Sequence, residues 1–166
     1  IAAHVYRGVL LNEQGNWADA IADYSRAIEL RPDYAVAYVL RATVHARQGY
    51  RAAAMADLDR AIELDLKCGP AYAERGRARA EEGDLAGAIA DCNEAIRLLP
   101  AGPEKAWGYA CRARACAALG DAPAACESLA AAIALDPHWR DTARAEPEFD
   151  PIRREPCFQA LIAIIY

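Results

Sequence analysis

Small and apolar residues recur at spacings of three and four along most of this chain, and short polar turns interrupt them. That period belongs to amphipathic α-helices; a strand would alternate every second residue. The pattern also repeats as a whole, at a spacing of 34 residues: ADAIADYSRAIEL (18–30), AAAMADLDRAIEL (52–64) and AGAIADCNEAIRL (86–98) align with one another. A fourth copy, PAACESLAAAIAL (123–135), follows after three extra residues. The chain therefore reads as helix–turn–helix units at 1–34, 35–68, 69–102 and 106–139, with Pro103-Glu104-Lys105 inserted and a distinct segment at 140–166.

A glycine marks the turn inside every unit: Gly15, Gly49, Gly83 and Gly120. The residue that ends a helix often adopts a left-handed conformation, which costs glycine least. Asn16, Asp84 and Asp121 follow and are expected to cap the next helix, whereas Tyr50 makes a weaker cap. Pro32, Pro100 and Pro137 close three units, and Leu66 takes that place in the second. Three positions per unit hold only Gly or Ala: Gly8, Ala20, Ala27; Ala42, Ala54, Ala61; Gly76, Ala88, Ala95; Ala113, Ala125, Ala132. Larger side chains there would force helices apart, at roughly 1–3 kcal/mol each.

This layout resembles the tetratricopeptide repeat (TPR) family. The matching residues are the small positions, the turn glycines, Tyr38, Tyr72 and Tyr109 in the first helices (His4 in the first unit), and the closing prolines. The resemblance spans residues 1–139. It implies an all-α fold: a right-handed superhelix of about four repeats plus C-terminal capping helices, the first helix of each pair lining a concave groove. Residues 138–145 and 156–165 are expected to be helical. The stretch EPEFDPIRREPCFQAL is similar to the closing segment of bacterial TPR proteins, and Phe149, Ile152, Phe158 and Leu161 suit a cap on the exposed end of a stack. The final LIAIIY is more apolar than a cap needs and suggests a contact with another chain, as in self-association, or missing sequence.

The family geometry implies a groove containing Val5, Val9 and Asn12 from the first unit and Val39, Thr43 and Arg47 from the second. Glu74, Arg77, Trp107 and Arg114 follow in the later units. Arg77 and Arg114 suggest a peptide ligand with a hydrophobic end and an acidic residue. Relatives that clamp the C-terminal carboxylate of heat-shock chaperones use Lys, Asn and Arg. The matching places here are Val5, Val9, Leu40, Pro70 and Glu74, or, one unit later, Val39, Thr43, Glu74, Trp107 and Cys111. No clamp residue is kept, so that activity is not expected. Arg7, Arg41, Arg75 and Arg112 stand before the small position of each first helix, while Asp23, Asp57 and Asp91 recur in the second helices. The simplest reading is a repeated ion pair; the sharper one is an arginine ladder for an acidic ligand.

Composition narrows the function. Net charge is −5, and arginines are interleaved with carboxylates, so a phosphate-neutralising surface and nucleic acid are not expected. No run reaches the ~20 apolar residues of a membrane span. Six cysteines lack C-x-x-C spacing and ligand histidines; they are expected to be buried thiols without disulfides in a reducing compartment, the cytoplasm, with the periplasm as alternative. His4, His45 and His138 fall in different units, and no nucleophile, metal or phosphate motif is present. Cys111 has Arg114 nearby but no base. No catalytic residue, metal or cofactor is expected. The leading reading is a non-catalytic scaffold that binds a peptide or partner helix in the groove. The alternative is an accessory or regulatory domain of a larger enzyme or signalling polypeptide, which the start at Ile1 and the apolar end at Tyr166 would fit.

Overall fold

The structure, a computed structural model, describes residues 1–163. Among these it contains ten α-helices, one 3-10 segment and no strand. Four antiparallel pairs come first: α1 (Ala2–Glu13) with α2 (Trp17–Leu30), α3 (Ala35–Arg47) with α4 (Arg51–Leu64), α5 (Gly69–Glu82) with α6 (Leu85–Leu98), and α7 (Pro103–Ala118) with α8 (Ala122–Leu135). The end is built from α9 (Trp139–Ala145), the 3-10 segment Pro147–Ile152 and α10 (Pro156–Ile162). Among the described residues, the helical expectation for 156–165 holds as far as Ile162. Ile164, Ile165 and Tyr166, on which the expected self-association partly rests, lie outside the described residues.

All twelve small positions are buried. A Cβ at Gly76 would sit 2.8 Å from Cys92 Sγ and 3.1 Å from the Ala88 carbonyl oxygen, so α5 and α6 meet there with no room for a methyl group. The four turn glycines lie at φ between 76° and 87°. Asp84 and Asp121 cap their helices, accepting from Gly87 N–H at 2.9 Å and Ala124 N–H at 3.1 Å. Asn16 does not: its side chain turns back to Gln14, leaving α2 without a side-chain cap. Pro103-Glu104-Lys105 are not a loop. With proline at its start, where the missing N–H costs nothing, this insertion forms the first turn of a 16-residue α7.

The arginine and aspartate pattern resolves into a repeated clasp. Arg41 donates from Nε and Nη2 to both oxygens of Asp57 at 2.8 and 2.7 Å, and Arg75 does the same to Asp91 at 2.8 Å. Arg7 pairs with Asp23, which also bonds His4 Nδ1 at 2.9 Å. Ser128 replaces the carboxylate for Arg112 at 2.8 Å. The free end of each later guanidinium reaches back to the preceding unit: Arg41 to Ser25, Arg75 to Asp59 and Arg112 to Asn93. Each also lies over the tyrosine three residues before it, Tyr38, Tyr72 or Tyr109. These arginines clasp their hairpins, and Arg41, Arg75 and Arg112 also bridge to the unit before, as the repeated ion-pair reading expects.

The expectation of unbridged cysteines fails at one point. Cys126 on α8 and Cys157 on α10 form a disulfide, while Cys68, Cys92, Cys111 and Cys116 are free and buried. The two partners are 31 residues apart. The period that organises the repeats says nothing of how the tail folds back, so this pairing was not visible in the spacing. Phe149, Ile152 and Phe158 complete the core over α7 and α8, and Leu161 packs at its margin.

Candidate functional site

Two adjoining concavities lie along the first helices. One, about 330 Å³, is lined by Val39 and Thr43 of α3, Pro70, Ala73 and Glu74 of α5, Leu99, and Pro103, Glu104 and Trp107 of α7. The other, about 420 Å³, is lined by Arg77, Ala80 and Glu81 of α5, Leu85 of α6, and Trp107, Cys111, Arg114 and Ala118 of α7. Pro147, Glu148 and Pro151 of the 3-10 segment close its far side. Trp107 belongs to both and divides them. Of the ten residues expected to line the groove, Val39, Thr43, Glu74, Arg77, Trp107 and Arg114 are brought together here.

The other four are not. Val9 packs against the small core under α1 and α2, Asn12 accepts from Arg47 at 3.4 Å, and Val5 lines neither concavity. Val39 itself is only 8% exposed and belongs chiefly to the core. The tail residues Pro147, Glu148 and Pro151 were missed as groove residues. The repeat geometry has no term for a non-repeating segment that folds onto α7.

The electrostatics also differ from the sequence expectation. Arg77 is already paired, with Glu74 at 3.1 Å and with Glu81, one turn to either side. Arg114 is countered from further away. It donates from Nε to Glu146 at 2.9 Å and from Nη2 to the other carboxylate oxygen. Its guanidinium lies 5.1 Å from the Trp107 ring centroid and 5.2 Å from that of Trp139, inside an aromatic bracket that favours a cation. These carboxylates raise both arginines above their ordinary range against the opposing effect of burial. Trp107 Nε1 is buried without a hydrogen-bond partner among the described residues.

Cys111 lines the second concavity, but its thiol is pushed well up by its bond to Cys92 and by burial, with Arg114 working weakly the other way. A protonated thiol is a poor nucleophile. Among the described residues no three His, Cys, Asp or Glu side chains gather as a metal set. No helix there is long and apolar enough to cross a membrane.

Paired helices stacked in register, closed by a helical cap and hollowed along their first members, define a solenoid of the helical-repeat class. Residues 8–49 match a family model described as TPR repeat, and residues 39–103 match another described as tetratricopeptide repeat. The chain is a member of the tetratricopeptide repeat family, with the right-handed superhelical fold of that family.

Solved structures agree. PilF of Pseudomonas aeruginosa superposes with a TM-score of 0.76 at 19% identity, over 97% of this chain and 74% of that one. MamA gives 0.72 at 18%, over 97% and 85%. The first TPR of Spaghetti (RPAP3), bound to the HSP90 peptide SRMEEVD, gives 0.58 at 27%, over 63% and 82%. No curated protein matches the chain significantly.

Proposed function

We propose that this protein is a non-catalytic scaffold that receives an extended peptide or partner helix along α3, α5 and α7. What supports the reading is one observation: two concavities share Trp107 and run across three successive first helices. Such a surface is formed before the ligand arrives, so little ordering cost falls on the protein when it binds. A relative of the same fold carries a bound peptide, which makes peptide capture a use the fold allows. At the places a carboxylate clamp would use, Val39, Thr43, Glu74, Trp107 and Cys111, no cation stands, and Arg77 and Arg114 nearby are already paired, so the ligand class differs.

The experiment is affinity capture with the whole chain, set against variants that fill each concavity, Thr43→Trp and Ala118→Trp. Both sites are at least partly exposed, and circular dichroism checks that the variants fold. Partners lost with one or both variants locate the binding face. Partners that survive both would move the function to the convex side.

A further inference from the structure

Taken together, the two concavities carry more carboxylates than cations. Arg77 is enclosed by Glu74 and Glu81, and Arg114 by Glu146. Glu148 lines the second concavity and Glu104 the first; both are exposed, and neither forms a direct salt bridge among the described residues, though Glu148 lies within the field of Arg114. Three carboxylates thus hold the two guanidinium groups, and Glu104 and Glu148 add to them. The walls between are apolar: Leu85, Trp107, Pro147 and Pro151.

An incoming carboxylate would have to displace Glu146 from Arg114. Glu146 belongs to the same chain, so it competes at an effective concentration on the millimolar scale that a tethered group commands. It would also approach Glu148 and Glu81, like charges in a lining whose cations, Arg77 and Arg114, are already paired. A cation meets the reverse situation. Its aliphatic stem can lie along Trp107 and Leu85, while its charge reaches Glu148 at the rim.

Resting on the scaffold reading above, we propose that the partner segment is basic and apolar: a bulky hydrophobic side chain seated in the 420 Å³ concavity, with a Lys or Arg within a residue or two of it. Trp107 and Leu85 receive the first; Glu148 and Glu81 receive the second. The tail segment therefore sets specificity as well as stability, because it withdraws Arg114 and contributes Glu148.

The test uses the whole chain and fluorescein-labelled, end-blocked octapeptides with a central Lys, Gln or Glu flanked by Leu or by Ser, read by anisotropy. The Lys–Leu peptide is expected to bind about tenfold more tightly than the Glu–Leu or the Lys–Ser peptide, with an advantage that shrinks as salt rises. Glu148→Arg combined with Glu104→Arg, both at exposed positions, is expected to reverse the preference between Lys and Glu. If Glu–Leu binds as well as Lys–Leu while Ala118→Trp abolishes both, the charge assignment is wrong and the groove reading stands. If Lys–Leu binding is indifferent to Ala118→Trp, the groove reading fails and this inference with it. Absence of binding by every peptide at the highest soluble concentration overturns the charge assignment, while the capture experiment still decides the scaffold.

Discussion

Arg114 of α7 and Glu146, just past the end of α9, form a two-pronged ion pair between the last repeat and the cap, 32 residues apart in sequence. Neither residue has a partner in the repeat pattern. Their pairing fixes the extended turn that places Pro147, Glu148 and Pro151 against the groove.

That pair is expected to couple the cap to the stack. Both side chains are less than a quarter exposed, so their hydrogen bonds are shielded and should contribute about 1–3 kcal/mol. A double-mutant cycle with Arg114→Ala and Glu146→Ala in urea measures it. Coupling under ~0.3 kcal/mol would mean the cap is held by its disulfide and apolar contacts without help from this pair.

Acid should remove one clasp in a defined direction. The hydrogen bonds from Arg7 hold Asp23 down at about 2 although burial pushes the other way, and His4 assists Arg7. A carboxyl depressed in the folded state stabilises the fold fully above the ordinary carboxylate range; that contribution is lost as pH falls through that range toward about 2. Thermal melts from pH 5 to 2 should show a steeper fall for the natural chain than for Asp23→Asn. Parallel curves would exclude Asp23 as the source.

Gly76→Ala sets helix propensity against packing. Alanine gains roughly 0.5–1 kcal/mol in a helix interior, but its methyl would meet Cys92 Sγ at 2.8 Å and the Ala88 backbone oxygen at 3.1 Å. Backbone cannot swing aside as a flexible side chain can, so the expected net effect is a loss of about 1–2 kcal/mol by chemical denaturation. A stabilised variant would mean that α5 and α6 separate more easily than their contact suggests.

The helix caps offer a matched comparison. Asp84→Ala should cost about 1 kcal/mol, because it frees the N–H of Gly87. Asn16→Ala should cost a few tenths at most, since Asn16 makes no such bond. Equal losses in denaturant melts would contradict this assignment.

Reduction should loosen the cap before the repeats. The Cys126–Cys157 bond closes a span of 31 residues, and Cys157 is exposed to a reductant. Loop-closure entropy puts its contribution near 3–4 kcal/mol. Hydrogen exchange after reduction, or in Cys157→Ser, should speed up first in α9 and α10, with α1–α6 unchanged. Uniform acceleration along the chain would instead mark the bond as a global staple.

The sequence alone determined the helical hairpins, their register, the small contact positions and the pairing of Arg41 with Asp57 and Arg75 with Asp91. Each of these recurs every 34 residues, and a repeated constraint leaves a repeated residue. Only the tertiary structure decided what happens where the repetition stops. The tail's return onto α7, the capture of Arg114 by Glu146, the disulfide and the sign of the groove's charge all join residues that no period relates. Charge shows the same division: Glu74 and Glu81 stand three and four residues from Arg77 on one helix, a spacing the sequence carries, whereas Arg114 reads as an open cation until the tail brings Glu146 to it.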